Sequence, residues 1–151
     1  MNSDLHILLV EDSTSDARII ERALREGHID HTLTVIRDGR QALDYLNDSV
    51  ANHGDGPAGP DLILLDLNLP GLDGGQVLAQ IKGDIRLRSI PVVVLTTSTR
   101  HEDVEMTYQA GANTYIQKPS EFPGYRQVVY ALKQYWLETA LRPSRRRAAG
   151  R

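Results

Sequence analysis

The chain has 151 residues, enough for one compact domain, with 40% apolar residues and no cysteine, which excludes disulfides, thiolate metal sites and a cysteine nucleophile. Apolar runs such as Leu62 to Leu65 are far too short to cross a bilayer, and Asp4 and His6 at the start of the chain do not fit a signal peptide, so a cytoplasmic protein is expected. The net charge of -3 is uneven: residues 142–151 hold five Arg and no acid, whereas the other 141 residues hold 12 basic and 20 acidic side chains, a net of -8 that argues against a nucleic-acid-binding face.

Leu5 to Val10 is a short apolar run rich in branched residues, as in a buried strand. Ser13-Thr14-Ser15-Asp16 offers a helix N-cap, and Ala17, Ile20 and Leu24 then recur at helical spacing up to Gly27. Leu33 to Ile36 reads as a second strand, Asp38-Gly39 as a turn, and Ala42, Leu43 and Leu46 as the stripe of a short helix. Ala51 to Pro60, with three Gly and two Pro, reads as a loop. Asp61 to Asp66 is a third strand whose apolar centre does not alternate, so it should be covered on both faces. Gln76 to Lys82 is a helix, Val92 to Leu95 a strand opened by Pro91, and His101 to Ala110 a helix stopped by Gly111. Asn113 to Gln117 is the fifth strand and Tyr125 to Leu137 the last helix. The domain is expected to span 1–141, with 142–151 a solvated basic tail.

Five strand–helix pairs in strict alternation imply right-handed crossovers and a doubly wound α/β fold with a parallel sheet. Ligands of such sheets collect outside the C-terminal ends of the strands. Those ends carry Glu11-Asp12, Asp66, Thr96 and Lys118-Pro119. Three carboxylates, a hydroxyl and an ammonium would thus meet at one edge. Crowded acids repel unless a cation compensates, and a hard divalent ion such as Mg²⁺ suits oxygen ligands. Any one of these residues alone would read as a cap or turn residue; their conjunction at successive strand ends points to a functional site.

With these residues in place, Leu5 to Leu137 resembles the receiver domain of bacterial response regulators in two-component signalling. The resemblance rests on Glu11-Asp12, Asp66 within Asp66-Leu67-Asn68-Leu69-Pro70-Gly71-Leu72-Asp73-Gly74, Thr96, Tyr115 and Lys118-Pro119, with Leu69 where a Met is usual. It implies a flavodoxin-like five-stranded parallel sheet in the order 2-1-3-4-5 with helices on both faces. It implies that Asp66 accepts a phosphoryl group from the phosphohistidine of a sensor histidine kinase. Asp12, Asp66 and the Asn68 backbone carbonyl would bind Mg²⁺, with Glu11 acting through water. Thr96 and Lys118 would each contact a phosphoryl oxygen, Thr96 and Tyr115 would form the switch, and Lys118–Pro119 would be cis. The protein would be a phosphoacceptor that catalyses only its own phosphoryl transfer and dephosphorylation.

Val92 to Ser98, with Thr97, and Tyr135 to Pro143 are similar to the single-domain regulators paired with phytochromes and bacteriophytochromes, which implies a photosensory kinase as partner. The inward stripe of the last helix, Tyr125, Val128, Val129 and Leu132, leaves Tyr130 and Trp136 less committed to the core. A homodimer through helix four, strand five, helix five and the Trp136–Pro143 extension is therefore expected. Two other classes compete. A haloacid-dehalogenase-type hydrolase would use Asp66 as nucleophile, but it needs an acid two residues on, where this chain has Asn68. A transcription factor needs a helix-turn-helix, and only 14 residues follow Leu137. The scattered His residues, and Asp16, Asp38 and Asp73 at helix starts or turns, read as structural.

Overall fold

The computed structural model describes residues 5–51 and 59–137. Its five strands are β1 (Leu5–Val10), β2 (His31–Ile36), β3 (Leu62–Leu65), β4 (Val92–Thr96) and β5 (Thr114–Gln117). They alternate with α1 (Thr14–Glu26), α2 (Gly39–Ala51), α3 (Gly74–Gly83), α4 (His101–Gln109) and α5 (Phe122–Leu132), and a π-helical turn over Lys133–Leu137 follows. The sheet is parallel throughout, in the order β2-β1-β3-β4-β5. No helix among the described residues is long and apolar enough to span a membrane.

Strand alternation sorts the apolar side chains onto two faces. Leu5, Ile7 and Leu9 of β1 and Leu62 and Leu64 of β3 pack with Ala17, Ile20 and Leu24 of α1 and with Val129 and Leu132 of α5. Leu8, Val10, Ile63 and Leu65 meet Leu43 and Leu46 of α2 and Val77, Leu78 and Ile81 of α3 on the other face. β3 is therefore covered on both sides, as its unbroken apolar run requires. Trp136 belongs to the first of these cores, 9% exposed, which corrects its reading as an outward anchor; Tyr130 and Tyr135 are the exposed aromatics of this region.

The helix starts explain most boundary differences. Ser13 Oγ accepts from the Asp16 N–H at 3.2 Å and caps α1 as read. Asp38 caps α2 by accepting from the Gln41 N–H at 3.0 Å, so Gly39 lies within a helix of 13 residues instead of a turn before a short one. Asp73 and Gln76 form a reciprocal capping box that starts α3 at Gly74, two residues ahead of the expected start. α5 likewise starts earlier than expected, at Phe122, with Pro123 in its first turn. β2 begins at His31, whose Nδ1 lies 2.6 Å from the Ile29 carbonyl oxygen. The expected loop from Ala51 to Pro60 falls mostly outside the described residues, as does the tail at 142–151.

Gly74 ties the fold to the edge where the strands end. A Cβ at this position would lie 2.6 Å from Leu67 Cα and closer still to the Asp66 carbonyl oxygen. The helix N-terminus can press against the end of β3 only because residue 74 has no side chain. Gly74→Ala should therefore lower stability by about 3 kcal/mol through overpacking against backbone that cannot yield. Urea unfolding measures this; an unchanged midpoint would mean that α3 can move away freely.

Candidate functional site

The register of the sheet assembles the site. Val10 pairs with Leu65, so Glu11 and Asp66 leave β1 and β3 side by side, and the Asp66 N–H donates to the Val10 carbonyl at 3.0 Å. β4 runs to Thr96, opposite Gln117 of β5, and the Lys118 N–H donates to the Thr96 carbonyl at 2.7 Å. An Arg37 guanidinium N–H donates to the Asp12 carbonyl oxygen at 2.9 Å and holds the chain just after β1.

Glu11 and Asp66 are buried and Asp12 is the more open of the three. One carboxylate oxygen from each lies within 4.8 Å of the others. The Lys118 side chain is 6% exposed, and its Nζ lies 2.7 Å from Asp16 Oδ2, 2.8 Å from Glu11 Oε1 and 3.2 Å from Asp66 Oδ2. The other Asp66 oxygen accepts from the Asn68 N–H at 3.1 Å, and the second Glu11 oxygen accepts from the Ser13 N–H at 3.2 Å.

Electrostatics follow from this crowding. Burial raises the Glu11 pKa and the Asp66 charge adds to it; the Lys118 ammonium offsets only part, leaving Glu11 pushed up to about 7. Burial by itself would lower the Lys118 pKa, but hydrogen bonds to Asp16 and Glu11 and the charge of Asp66 reverse it and hold the ammonium above its ordinary value. The phenol of Tyr125, buried on α5, is raised by burial and then by the Asp16 carboxylate. Negative charge at this edge thus exceeds what one ammonium balances. All-oxygen donors in excess of their countercharge fit a hard divalent cation.

Thr96 is fully buried, and its Oγ1 accepts from the Asn68 side-chain amide at 3.4 Å, which joins the end of β4 to the loop after β3. Tyr115 is half-buried on β5; its hydroxyl donates to the Ser98 carbonyl at 2.8 Å and its N–H donates to the Tyr108 hydroxyl at 3.0 Å. Every peptide bond among the described residues is trans, including Lys118–Pro119, against the cis bond that the resemblance implies; trans is the lower-energy form of an X–Pro bond. Glu11, Asp12, Asp66, Asn68, Thr96 and Lys118 therefore meet at one edge, with Tyr115 linked to the loop that follows β4.

Asp16 reads from the sequence as a structural residue at a helix start, yet it makes the shortest contact to Lys118. The signal lay in helical phase. Asp16, Ile20, Ala23 and Leu24 fall on one stripe, so the helix that buries the last three also turns Asp16 toward the strand ends. An N-terminal Ser-rich segment masks this, because an acid in the first turn already has a sufficient role at the helix dipole.

Comparison with known proteins agrees with this geometry. Residues 7–130 match the model of the response regulator receiver domain. The chain belongs to this family. This receiver domain is 43% identical over 138 residues to response regulator Rcp1 of Synechocystis sp., covering 91% of this chain and 92% of that protein. The phosphorylated cyanobacterial phytochrome response regulator RcpA superposes with a TM-score of 0.85 at 42% identity, covering 94% of this chain and all of that one. A Mn²⁺-bound form of response regulator Rcp1 superposes at 0.81 with 41% identity, covering 93% of this chain and 99% of that one. The protein is a receiver-domain response regulator, a signalling protein whose similar structures include phytochrome response regulators.

Proposed function

We propose that Asp66 is the phosphoacceptor of this receiver domain. A carboxylate oxygen of Asp66 attacks the phosphorus of a kinase phosphohistidine, the P–N bond breaks, and an acyl phosphate forms as the histidine is released. The observation that carries this reading is the placement of Asp66 at the end of the central strand, held by the Lys118 ammonium at 3.2 Å and the Asn68 N–H at 3.1 Å. Transfer of this kind depends on positioning and charge neutralisation more than on covalent assistance from the protein. Lys118 supplies a fixed positive charge beside the acceptor, and the Thr96 hydroxyl supplies a donor for a second phosphoryl oxygen.

Asp12, Asp66 and the Asn68 backbone carbonyl would hold Mg²⁺, with Glu11 bound through water. When bound, the ion neutralises the charge that accumulates on the phosphoryl oxygens. Incubation with acetyl phosphate and Mg²⁺ should add one phosphoryl group, read by intact mass. Asp12→Ala removes the most open of the three carboxylates and should raise the Mg²⁺ needed for half-maximal labelling at least about tenfold. Glu11→Gln should raise it less. Equal Mg²⁺ dependence in Asp12→Ala and the wild type would contradict this ligand assignment.

A photosensory histidine kinase of the phytochrome class is the proposed partner, in the cytoplasm, and the likeness to the phytochrome response regulator RcpA supports it. Thr96 and Tyr115 form the switch: displacement of Thr96 toward a phosphoryl oxygen would shift the loop at Ser98, to which the Tyr115 hydroxyl is bonded. The exposed Tyr130, 61% accessible, and Tyr135, 53% accessible, support a homodimer contact through α4, β5, α5 and the C-terminal extension, with no role for Trp136 as its anchor.

A further inference from the structure

We propose that Asp16 is a positioning residue that holds the Lys118 ammonium against α1 in the unphosphorylated protein and competes with the phosphoryl group for it. The proposal rests on the reading of Asp66 as phosphoacceptor. An ammonium has three N–H donors, and three carboxylates occupy them. The contacts are unequal: 2.7 Å to Asp16 and 2.8 Å to Glu11, against 3.2 Å to Asp66. Lys118 thus sits closer to Asp16 and Glu11 than to the acceptor, with which it keeps its longest contact.

The three carboxylates also differ in how they are fixed. Glu11 is tied to its own turn through the Ser13 N–H and is 1% exposed. Asp66 loses its full carboxylate charge when it becomes an acyl phosphate. Asp16 does neither: its side chain is 28% exposed, and it stands on α1 in the first turn, where the backbone N–H bonds the Ser13 hydroxyl and leaves the carboxylate for Lys118. After phosphoryl transfer it remains an anion bonded to the same ammonium that the new dianionic group must use. A shared ammonium offers each anion less than its full charge, and the two anions repel. Asp16 therefore biases the domain toward the unphosphorylated state.

Beryllofluoride, which mimics a phosphoryl group on a carboxylate, tests this without turnover. Titrated into the full chain at saturating Mg²⁺ and followed by NMR, it should bind Asp16→Asn about tenfold more tightly than the wild type, the magnitude of one charge-assisted hydrogen bond. Asn keeps an oxygen acceptor for Lys118 and removes only the charge; Asp16→Ala removes both and should bind beryllofluoride more tightly as well. Mg²⁺ affinity measured without beryllofluoride should stay within about twofold of the wild type, because Asp16 is not among the three clustered carboxylates. Unchanged or weaker beryllofluoride binding by folded Asp16→Asn would overturn the proposal, and so would a tenfold loss of Mg²⁺ affinity, which would make Asp16 a metal ligand. Failure of the wild type to bind beryllofluoride would instead overturn the phosphoacceptor reading.

Discussion

Asp66→Asn is expected to abolish phosphorylation by acetyl phosphate, with no added phosphoryl group by intact mass under conditions that label the wild type completely. The substitution preserves shape and the oxygen that accepts from the Asn68 N–H at 3.1 Å, but an amide is too weak a nucleophile to form the acyl phosphate. The neighbouring acids are poorly placed to substitute. Glu11 is 1% exposed with one oxygen on Lys118 and the other on the Ser13 N–H, and Asp16, on α1, is engaged by Lys118. Loss of labelling cannot be blamed on loss of fold, because the variant removes one member of a buried, mutually repelling set of carboxylates and should unfold no more easily than the wild type. Full labelling of Asp66→Asn would move the acceptor elsewhere, with Asp12 the next carboxylate to test.

Much of this was legible in the residues themselves. The unbroken apolar stretch of β3 marks a central parallel strand, and the strand–helix alternation places Glu11, Asp66, Thr96 and Lys118 at one edge. Less legible was what depends on contacts between distant segments. Gly39 follows Asp38 in a typical turn pair, yet it lies within α2 behind the Asp38 cap, where a side chain would strike the Leu72 carbonyl and Val77, a constraint set more than thirty residues away. Trp136 follows an exposed Tyr135, and whether it turns inward depends on the space left between α1 and α5, which no local pattern records. Asp16 was hidden for a related reason: a carboxylate in a first helical turn needs no further explanation until Lys118, 102 residues on, is found against it.

Lys118→Met should destabilise the Mg²⁺-free domain by about 3 kcal/mol, the cost expected when one member of a buried ionic group is removed and its partners are left unpaired. Methionine matches the lysine stem in volume, so the packing loss is small and the charge loss dominates. Three carboxylates now share this ammonium at 2.7 to 3.2 Å, and Glu11 and Asp66 have almost no access to water in its place. Even with the ammonium present, burial and Asp66 together push Glu11 up to about 7. Without it, unfolding becomes the route by which these charges regain solvent. The same reasoning fixes the response to metal. A cation that binds the folded acids stabilises by mass action, and Mg²⁺ should raise the urea midpoint of both proteins but that of Lys118→Met more, since more uncompensated charge awaits it. Lys118→Arg, which keeps the charge on a bulkier and less adaptable group, should fall between the two. Urea titrations with and without Mg²⁺ measure all three. A Lys118→Met domain within about 1 kcal/mol of the wild type without metal would mean that the carboxylates do not depend on this ammonium. In that event the charge balance required by the proposed metal and phosphoryl binding would have to come from another source.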